Sequence, residues 1–354
     1  MGMKVTFLIP SMSGGGAERV ISILADEFVK KGLEVSILMT AGNECVYDLD
    51  PHVRLFQAGE KTGGSIVKRI SRLIKMRQYF RANRDNILIA FEPDAAFWSS
   101  IAKTGLSVPM LSSERNDPAS FGNSKARAIA YHNSSGIVFQ TQEAREYFPV
   151  QIQKKGWVIP NPLRDDLPVP YTGERKKTIV CVGRFEEQKN HKLLLKAYAK
   201  FSEKHPEYTL HLYGRGSLEG EIRMLADMLH IENSVVFEGF KKNITAEIMD
   251  AGMFVLSSDY EGISNSLLEA MAVGMPVIST DCPCGGSRMC IQDGVNGCLV
   301  PVGDAEALAA SMERIAEDVD FSSRLGKEAA GIRTAFSAEG IAEKWIAVLT
   351  QIAR

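Results

Sequence analysis

The sequence predicts an α/β protein of two doubly wound domains, and three observations carry that prediction. At 354 residues the chain exceeds what one hydrophobic core organises, so two domains are expected. Short apolar runs alternate with helical stretches along nearly its whole length, the pattern of parallel sheets covered on both faces. The alternation breaks once, near Ile159-Pro160-Asn161-Pro162: residues 160 to 177 hold four prolines and several charges with little periodicity, which is linker composition.

Val5-Thr6-Phe7-Leu8-Ile9-Pro10 opens the first domain, and its near-continuous apolar character suits a strand buried on both faces. The loop Ser11-Met12-Ser13-Gly14-Gly15-Gly16 leads into a helix from Ala17 to about Lys30. Gly32 stops that helix and Val35–Met39 is the next strand, which completes a βαβ unit. Ile87–Phe91, Met110–Ser113 and Gly136–Phe139 follow as short strands separated by helical stretches. After the linker, strands are expected at Thr178–Val182, Thr209–Tyr213, Val235–Phe237, Met253–Leu256, Pro276–Thr280 and Cys298–Pro301. Helices are expected at Lys192–Lys204, Leu218–Leu229 and Asn265–Val273, with a last one at Ala338–Ile352. The domains are drawn at 1–163 and 164–335.

Composition narrows the class. Hydrophobic residues at 45% and charged residues at 24% are ordinary for a soluble protein, and a net charge of -2 argues against nucleic acid as a partner. Val5–Pro10 is too short for a signal peptide and no run of 18 apolar residues exists, so a cytoplasmic protein is expected. Cys282, Cys284, Cys290 and Cys298 cluster, yet Cys282 and Cys284 are one residue apart and no histidine completes a zinc pattern; reduced structural thiols and no metal are the expectation.

Three constellations carry candidate chemistry. Ser13-Gly14-Gly15-Gly16-Ala17-Glu18-Arg19 lies between the first strand and the first helix. Such a turn presents free amides and the positive end of the helix dipole, which suits phosphate, although a plain tight turn has the same look. A nicotinamide site would want a third glycine where Arg19 stands and an acid where Thr40 stands; both are missing. Val182-Gly183-Arg184-Phe185-Glu186-Glu187-Gln188-Lys189-Asn190-His191 follows the first strand of the second domain. Its two cations, Arg184 and Lys189, suit a diphosphate clamp or simply a solvated loop. Asp259-Tyr260-Glu261-Gly262-Ile263-Ser264-Asn265-Ser266-Leu267-Leu268-Glu269-Ala270-Met271-Ala272 is the most informative. Glu261 sits in a loop after a strand, Ser264 or Asn265 caps the helix, and Glu269 lies a turn further in among apolar residues, where an acid is costly without a ligand.

Together these pieces resemble the retaining glycosyltransferases of family 4, also called group 1, and the Glu261-x₇-Glu269 pair is the most specific part of the match. The resemblance implies the GT-B fold, two Rossmann-like doubly wound domains facing a central cleft, with residues 336–354 crossing back onto the first. It implies that Glu269 binds the donor ribose and Glu261 the transferred sugar, helped by the amides of Gly262, Ile263, Ser264 and Asn265. Arg184 and Lys189, with Gly183 between strand and clamp, would neutralise the leaving pyrophosphate, and Gly14, Gly15 and Gly16 would close over it. The resemblance further implies a nucleotide-sugar donor, with uridine favoured by family frequency, and as acceptor a glycan or a lipid-linked sugar of cell-surface polysaccharide or glycoconjugate synthesis.

The chain departs from the family in two places. Where members carry Ser-Glu-His, it reads Ser112-Ser113-Glu114-Arg115-Asn116-Asp117-Pro118, and where many have Gly-Pro-x-Glu it reads Gly285-Gly286-Ser287-Arg288. Mechanistically, leaving-group charge develops on the diphosphate, and fixed cations and helix dipoles stabilise it. No Asp-x-Asp motif stands at a strand end, so no metal cofactor is expected. Residues 61–84 hold Lys61, Lys68, Arg69, Arg72, Lys75, Arg77, Arg81 and Arg84 with no acid, interleaved with Ile66, Ile70, Leu73, Ile74, Tyr79 and Phe80. This reads as a face for anionic lipid on the inner side of the membrane or for the pyrophosphate of a lipid-linked acceptor, or as a surface helix with a solvated basic side. A nucleotide-sugar epimerase of the same fold and a non-catalytic partner subunit are the alternative functions.

Overall fold

Parallel strand pairing organises the whole chain. The structure, a computed structural model, describes residues 2–42, 44–59, 65–120, 125–242 and 244–353. The chain divides into two units, Met1–Arg164 with Phe336–Arg354, and Asp165–Ala335.

The first unit runs β1 (Lys4–Ile9), α1 (Gly16–Lys30), β2 (Glu34–Met39), β3 (Arg54–Gln57), α2 (Ser65–Ala82), β4 (Asn86–Phe91), α3 (Pro93–Ala102), β5 (Met110–Ser113), α4 (Lys125–His132), β6 (Gly136–Phe139), α5 (Gln142–Glu146), α6 (Val150–Gln153) and β7 (Gly156–Val158). Among the described residues its sheet has the order β3-β2-β1-β4-β5-β6-β7, so the winding reverses between β1 and β4. The central strands are apolar on both faces because helices cover both: Val5 to Ile9 and all of β4 are buried. On α1 the buried Val20, Ile21, Leu24, Ala25 and Phe28 form one helical stripe against the sheet.

The second unit runs β8 (Lys176–Val182), α7 (His191–Lys204), β9 (Thr209–Tyr213), α8 (Glu219–Met228), β10 (Val235–Gly239), α9 (Thr245–Ile248), β11 (Ala251–Leu256), α10 (Asn265–Ala272), β12 (Val277–Thr280), α11 (Gly286–Cys290), β13 (Cys298–Val300), α12 (Ala305–Glu317), α13 (Val319–Ala329) and α14 (Ile332–Ala335). Its sheet order is β10-β9-β8-β11-β12-β13, with the reversal between β8 and β11. Every pairing among the described strands of both sheets is parallel.

The last helix, α15 (Ala338–Ile352), is part of the first unit. Trp345 is fully buried and stacks on Phe91 at 5.9 Å, and Phe91 meets Phe7 at 5.8 Å. Lys31, just past α1, reaches Glu339 at 3.0 Å and Glu343 at 2.8 Å. A buried aromatic of this size is worth roughly 3–5 kcal/mol on truncation, so α15 is integral to that core.

The proline-rich stretch is less loose than its composition predicts. From Leu167 onward it is fastened to the second unit: Arg333 donates to the carbonyls of Leu167, Pro168 and Ala272 at 3.0, 2.7 and 2.9 Å. Arg175 donates to those of Met249 and Ala251, both at 3.0 Å. Strand β8 likewise starts at Lys176 rather than Thr178, because Lys176 N bonds to Asp250 O at 2.8 Å despite its exposed side chain.

Candidate active site

The second sheet reverses its winding between β8 and β11, and the loops leaving these two strands meet at that edge, where doubly wound folds bind ligands. The loops are stitched together. Asp259 N donates to Gln188 O at 2.9 Å, Ser257 Oγ to Lys189 O at 2.9 Å, and Asn190 Nδ2 to Asp259 Oδ1 at 2.6 Å. Asn190 turns the chain in the left-handed region, φ 41°, a conformation asparagine tolerates, and its Oδ1 caps α7 by accepting from Leu193 N at 3.0 Å.

Glu261 lies at the centre of this seam and is 7% exposed. Its carboxylate accepts from Lys189 Nζ, from Ser258 Oγ at 2.8 Å and from Gln188 Nε2 at 3.3 Å. Lys189 is thus the ion-pair partner of Glu261, a role the sequence does not announce. Its stem crosses Gly183, where a Cβ would stand 3.2 Å from Lys189 Cδ. Arg184, one residue on, is exposed.

Ser264 caps α10, its Oγ accepting from Leu267 N at 3.4 Å, and Ser266 Oγ bonds to Val182 O at 3.1 Å, which ties the helix start to the end of β8. Gly262, Ile263 and Ser264 are buried and Asn265 is half-buried. Gly286 is what lets this loop sit where it does: a Cβ there would fall 1.6 Å from Gly262 O. Glu269 projects from α10 with 6% exposure and accepts from Thr245 Oγ1 at 3.3 Å. The Glu261-x₇-Glu269 spacing therefore places one buried carboxylate in the loop and another about one turn into the helix. Where the family carries the acid of its Gly-Pro-x-Glu run, Arg288 forms a two-bond clamp with Asp281 at 2.9 and 2.8 Å.

Sequence reasoning missed Gly214-Arg215-Gly216, which leaves β9 beside this edge. A Cβ on Gly214 would lie 1.9 Å from Gly183 O, and one on Gly216 2.3 Å from Phe185 O, so both glycines allow the β9 loop to press on the β8 loop. Phe185 N bonds to Arg215 O at 3.0 Å, and Arg215 adds a second exposed cation. Glycines two apart directly after a strand were the available signal.

Gly14, Gly15 and Gly16 belong to the first unit, after β1, at the reversal of that sheet. Gly14 has φ 120°, and Tyr47 Oη donates to Gly15 O at 2.8 Å. The Glu18 carboxylate folds back over Gly15, one oxygen lying 2.1 Å from where a Cβ would be. An acid therefore already faces the amides of this turn. Burial pushes the thiols of Cys181, Cys282 and Cys290 up to about 12, which keeps them protonated. Among the described residues no group of three or more His, Cys, Asp or Glu side chains is placed to hold a metal ion.

Residues 166–331 match the family model of the group 1 glycosyl transferases. The chain is 25% identical over 361 residues, 99% of each chain, to the GalNAc-alpha-(1->4)-GalNAc-alpha-(1->3)-diNAcBac-PP-undecaprenol alpha-1,4-N-acetyl-D-galactosaminyltransferase of Campylobacter jejuni. It is 26% identical over 349 residues to the lipopolysaccharide core biosynthesis glycosyltransferase LpsE of Rhizobium meliloti, covering 95% of this chain and 96% of LpsE. The Anabaena HepE structure in complex with UDP-glucose superposes with a TM-score of 0.85 at 19% identity, over 99% of this chain and 100% of HepE. The chain is a glycosyltransferase with the GT-B fold, and its second unit matches the group 1 family.

Proposed function

We propose that this glycosyltransferase moves a sugar from a UDP-sugar, with retention of anomeric configuration, onto a glycan or lipid-linked acceptor of cell-surface polysaccharide or glycoconjugate synthesis. The observation that carries the reading is the pair of buried carboxylates, Glu261 and Glu269, at the winding reversal of the second sheet. Each is fixed by polar partners of its own unit, Glu261 by Lys189, Ser258 and Gln188 and Glu269 by Thr245, and carboxylates so held beside a helix start suit ligand hydroxyls, which they accept from. Glu269 accepts from the donor ribose, and Glu261 from the transferred sugar. The HepE complex with UDP-glucose supports a uridine donor, and the acceptor in the Campylobacter relative's name supports a lipid-linked one.

As the bond from the anomeric carbon to the phosphate breaks, negative charge grows on the diphosphate and positive charge on the sugar ring. Arg184 and the amides at the start of α10 meet the first, with Lys189 beside them and held by Glu261. Gly183 gives the Lys189 stem room to cross the end of β8 and reach Glu261. The acceptor hydroxyl attacks from the face the phosphate leaves, and the departing phosphate oxygen takes its proton, so atoms and charge balance without a metal.

Helix α2 supplies the membrane side of the reading. Ile66, Val67, Ile70 and Ile74 are 69%, 62%, 53% and 52% exposed, whereas only Met76 and Phe80 of the helix are buried. With Lys68, Arg69 and Lys75 between them, this face suits anionic lipid. Arg72 instead lies over the Trp98 ring at 5.5 Å, and Lys61 lies outside the described residues. No described helix is long and apolar enough to cross a membrane.

Product analysis by NMR tests the chemistry. An α-linked product from an α-linked donor, formed in the presence of chelator, is expected. A β-linked product removes retention, and activity that vanishes in chelator and returns with magnesium removes the metal-free mechanism.

A further inference from the structure

The first unit holds a buried cluster of charges that donor chemistry does not use. Strand β5 ends at Ser113, and Glu114 follows with 1% exposure. Its Oε2 accepts from Tyr131 Oη at 2.7 Å and faces Arg127 Nη1 at 3.6 Å. Arg127 is itself buried, donates to Pro118 O at 2.8 Å and lies over the Phe148 ring at 5.1 Å. Glu114 and Arg127 thus neutralise each other.

Arg115 is left as the surplus cation. Among the described residues no carboxylate stands within ion-pair distance of it, and Glu114 favours its charge only from further off. Its Nη1 donates to Ser113 Oγ at 3.3 Å, and its Nη2 to Asn161 Oδ1, which Gln140 Nε2 also reaches at 2.6 Å. Nε is buried with no hydrogen-bond partner among the described residues, and the guanidinium lies over the Phe91 ring at 5.1 Å. Burial lowers its pKa to about 9, the mark of a charge taken from water without full compensation. Keeping such a group charged is unfavourable unless an anion completes it, and a guanidinium fork fits the two oxygens of a carboxylate or phosphate. Arg115 is half-buried and stands at the C-terminal edge of the first sheet, where β4 and β5 end.

We propose that Arg115 is a specificity-determining residue that receives a carboxylate or phosphate group of the acceptor, so that this enzyme selects acidic acceptors. The inference rests on the reading above that the second unit holds the donor, because Glu261, Glu269 and Arg184 all belong to it while Arg115 does not.

The test is thermal unfolding of the full chain in potassium phosphate and in potassium glucuronate, each against potassium chloride at equal ionic strength. One or both anions raise the melting temperature of the wild type, and the one that does tells phosphate from carboxylate. The rise is lost in Arg115→Met. An equal rise in wild type and Arg115→Met, or no rise with either anion, overturns the proposal. Should Arg115→Met not fold, Arg115→Lys makes the same comparison: the charge stays, the fork goes, and the response shrinks; an unchanged response overturns it. UDP in the same series separates the two readings. A UDP response kept in Arg115→Met but lost in Glu269→Ala supports the acceptor assignment, and one lost in Arg115→Met reassigns the anion to the donor and overturns it. A wild type indifferent to UDP defeats the donor reading while leaving the anion comparison intact.

Discussion

Lys189→Met puts the largest energetic claim about the site at risk. The side chains of Lys189 and Glu261 are 15% and 9% exposed, so solvent screens the pair little. Removing the ammonium strands a carboxylate that keeps only Ser258 Oγ at 2.8 Å and Gln188 Nε2 at 3.3 Å. Breaking a buried pair from one side costs roughly 3–5 kcal/mol, and the two neutral donors put the expected loss near the lower figure. For a unit of this size about 3 kcal/mol corresponds to a fall of roughly 6–12 °C in melting temperature. Glu261→Gln removes the stranded charge, so the double variant Lys189→Met/Glu261→Gln should be more stable than the two single losses added together. Thermal and urea unfolding of the four proteins close the cycle. A loss below about 1 kcal/mol for Lys189→Met, the range of exposed pairs, or simple additivity in the double variant, refutes the picture of a dry ion pair. The double variant is expected to fold and still fail to transfer sugar.

Three further outcomes are expected. Arg184→Ala slows transfer by about 10²–10³ at saturating substrates with the fold intact, because a preorganised partner of leaving-group charge acts in the transition state; a loss under about tenfold places Arg184 outside the reaction. Changing Lys68, Arg69 and Lys75 to Gln reduces co-sedimentation with anionic vesicles while UDP binding stays, and a wild type that ignores such vesicles removes the membrane face. Burial, with Lys189 nearby, holds the His191 imidazole down at about 4, and neither ring nitrogen has a hydrogen-bond partner among the described residues. Its folded pKa is depressed, so the stability it contributes is present above about pH 6.5 and is lost as pH falls toward 4, about 3 kcal/mol in all. Unfolding of the second unit followed against pH in His191→Phe should lack that acid loss; an identical profile excludes His191 as its source.

The two-sheet architecture was legible because both central sheets are buried on two faces, which writes near-continuous apolar runs such as Phe7-Leu8-Ile9 and Met253-Phe254-Val255-Leu256 into the sequence. Edge strands leave no such mark. All four residues of β3, Arg54 to Gln57, are exposed, and pairing with β2 is purely a backbone matter. Helices α12 and α13 do carry a readable signal, the capping residues Asp304 and Asp318, whose side chains accept from Ala307 N at 2.9 Å and Phe321 N at 2.8 Å. The carboxylates Glu261 and Glu269 stood out by their spacing. Their partners did not, since the Lys189–Glu261 pair joins residues 72 positions apart and depends on β8 and β11 being neighbours. The run Ser112–Pro118 showed only a departure from a family pattern, because the isolation of Arg115 is set by what Glu114, Arg127 and Asn161 do in three dimensions.

The central claim is that the second unit binds a uridine diphosphate sugar through Glu269. A thermal-shift panel of UDP- and GDP-sugars, run in chelator on wild type and Glu269→Ala, tests it most directly. At a hundredfold excess over the dissociation constant a ligand adds about 2.7 kcal/mol, and a unit of this size then melts roughly 5–11 °C higher. A rise with a UDP-sugar in the wild type that disappears in Glu269→Ala is predicted; no rise with any UDP-sugar, or the same rise in both proteins, contradicts the claim.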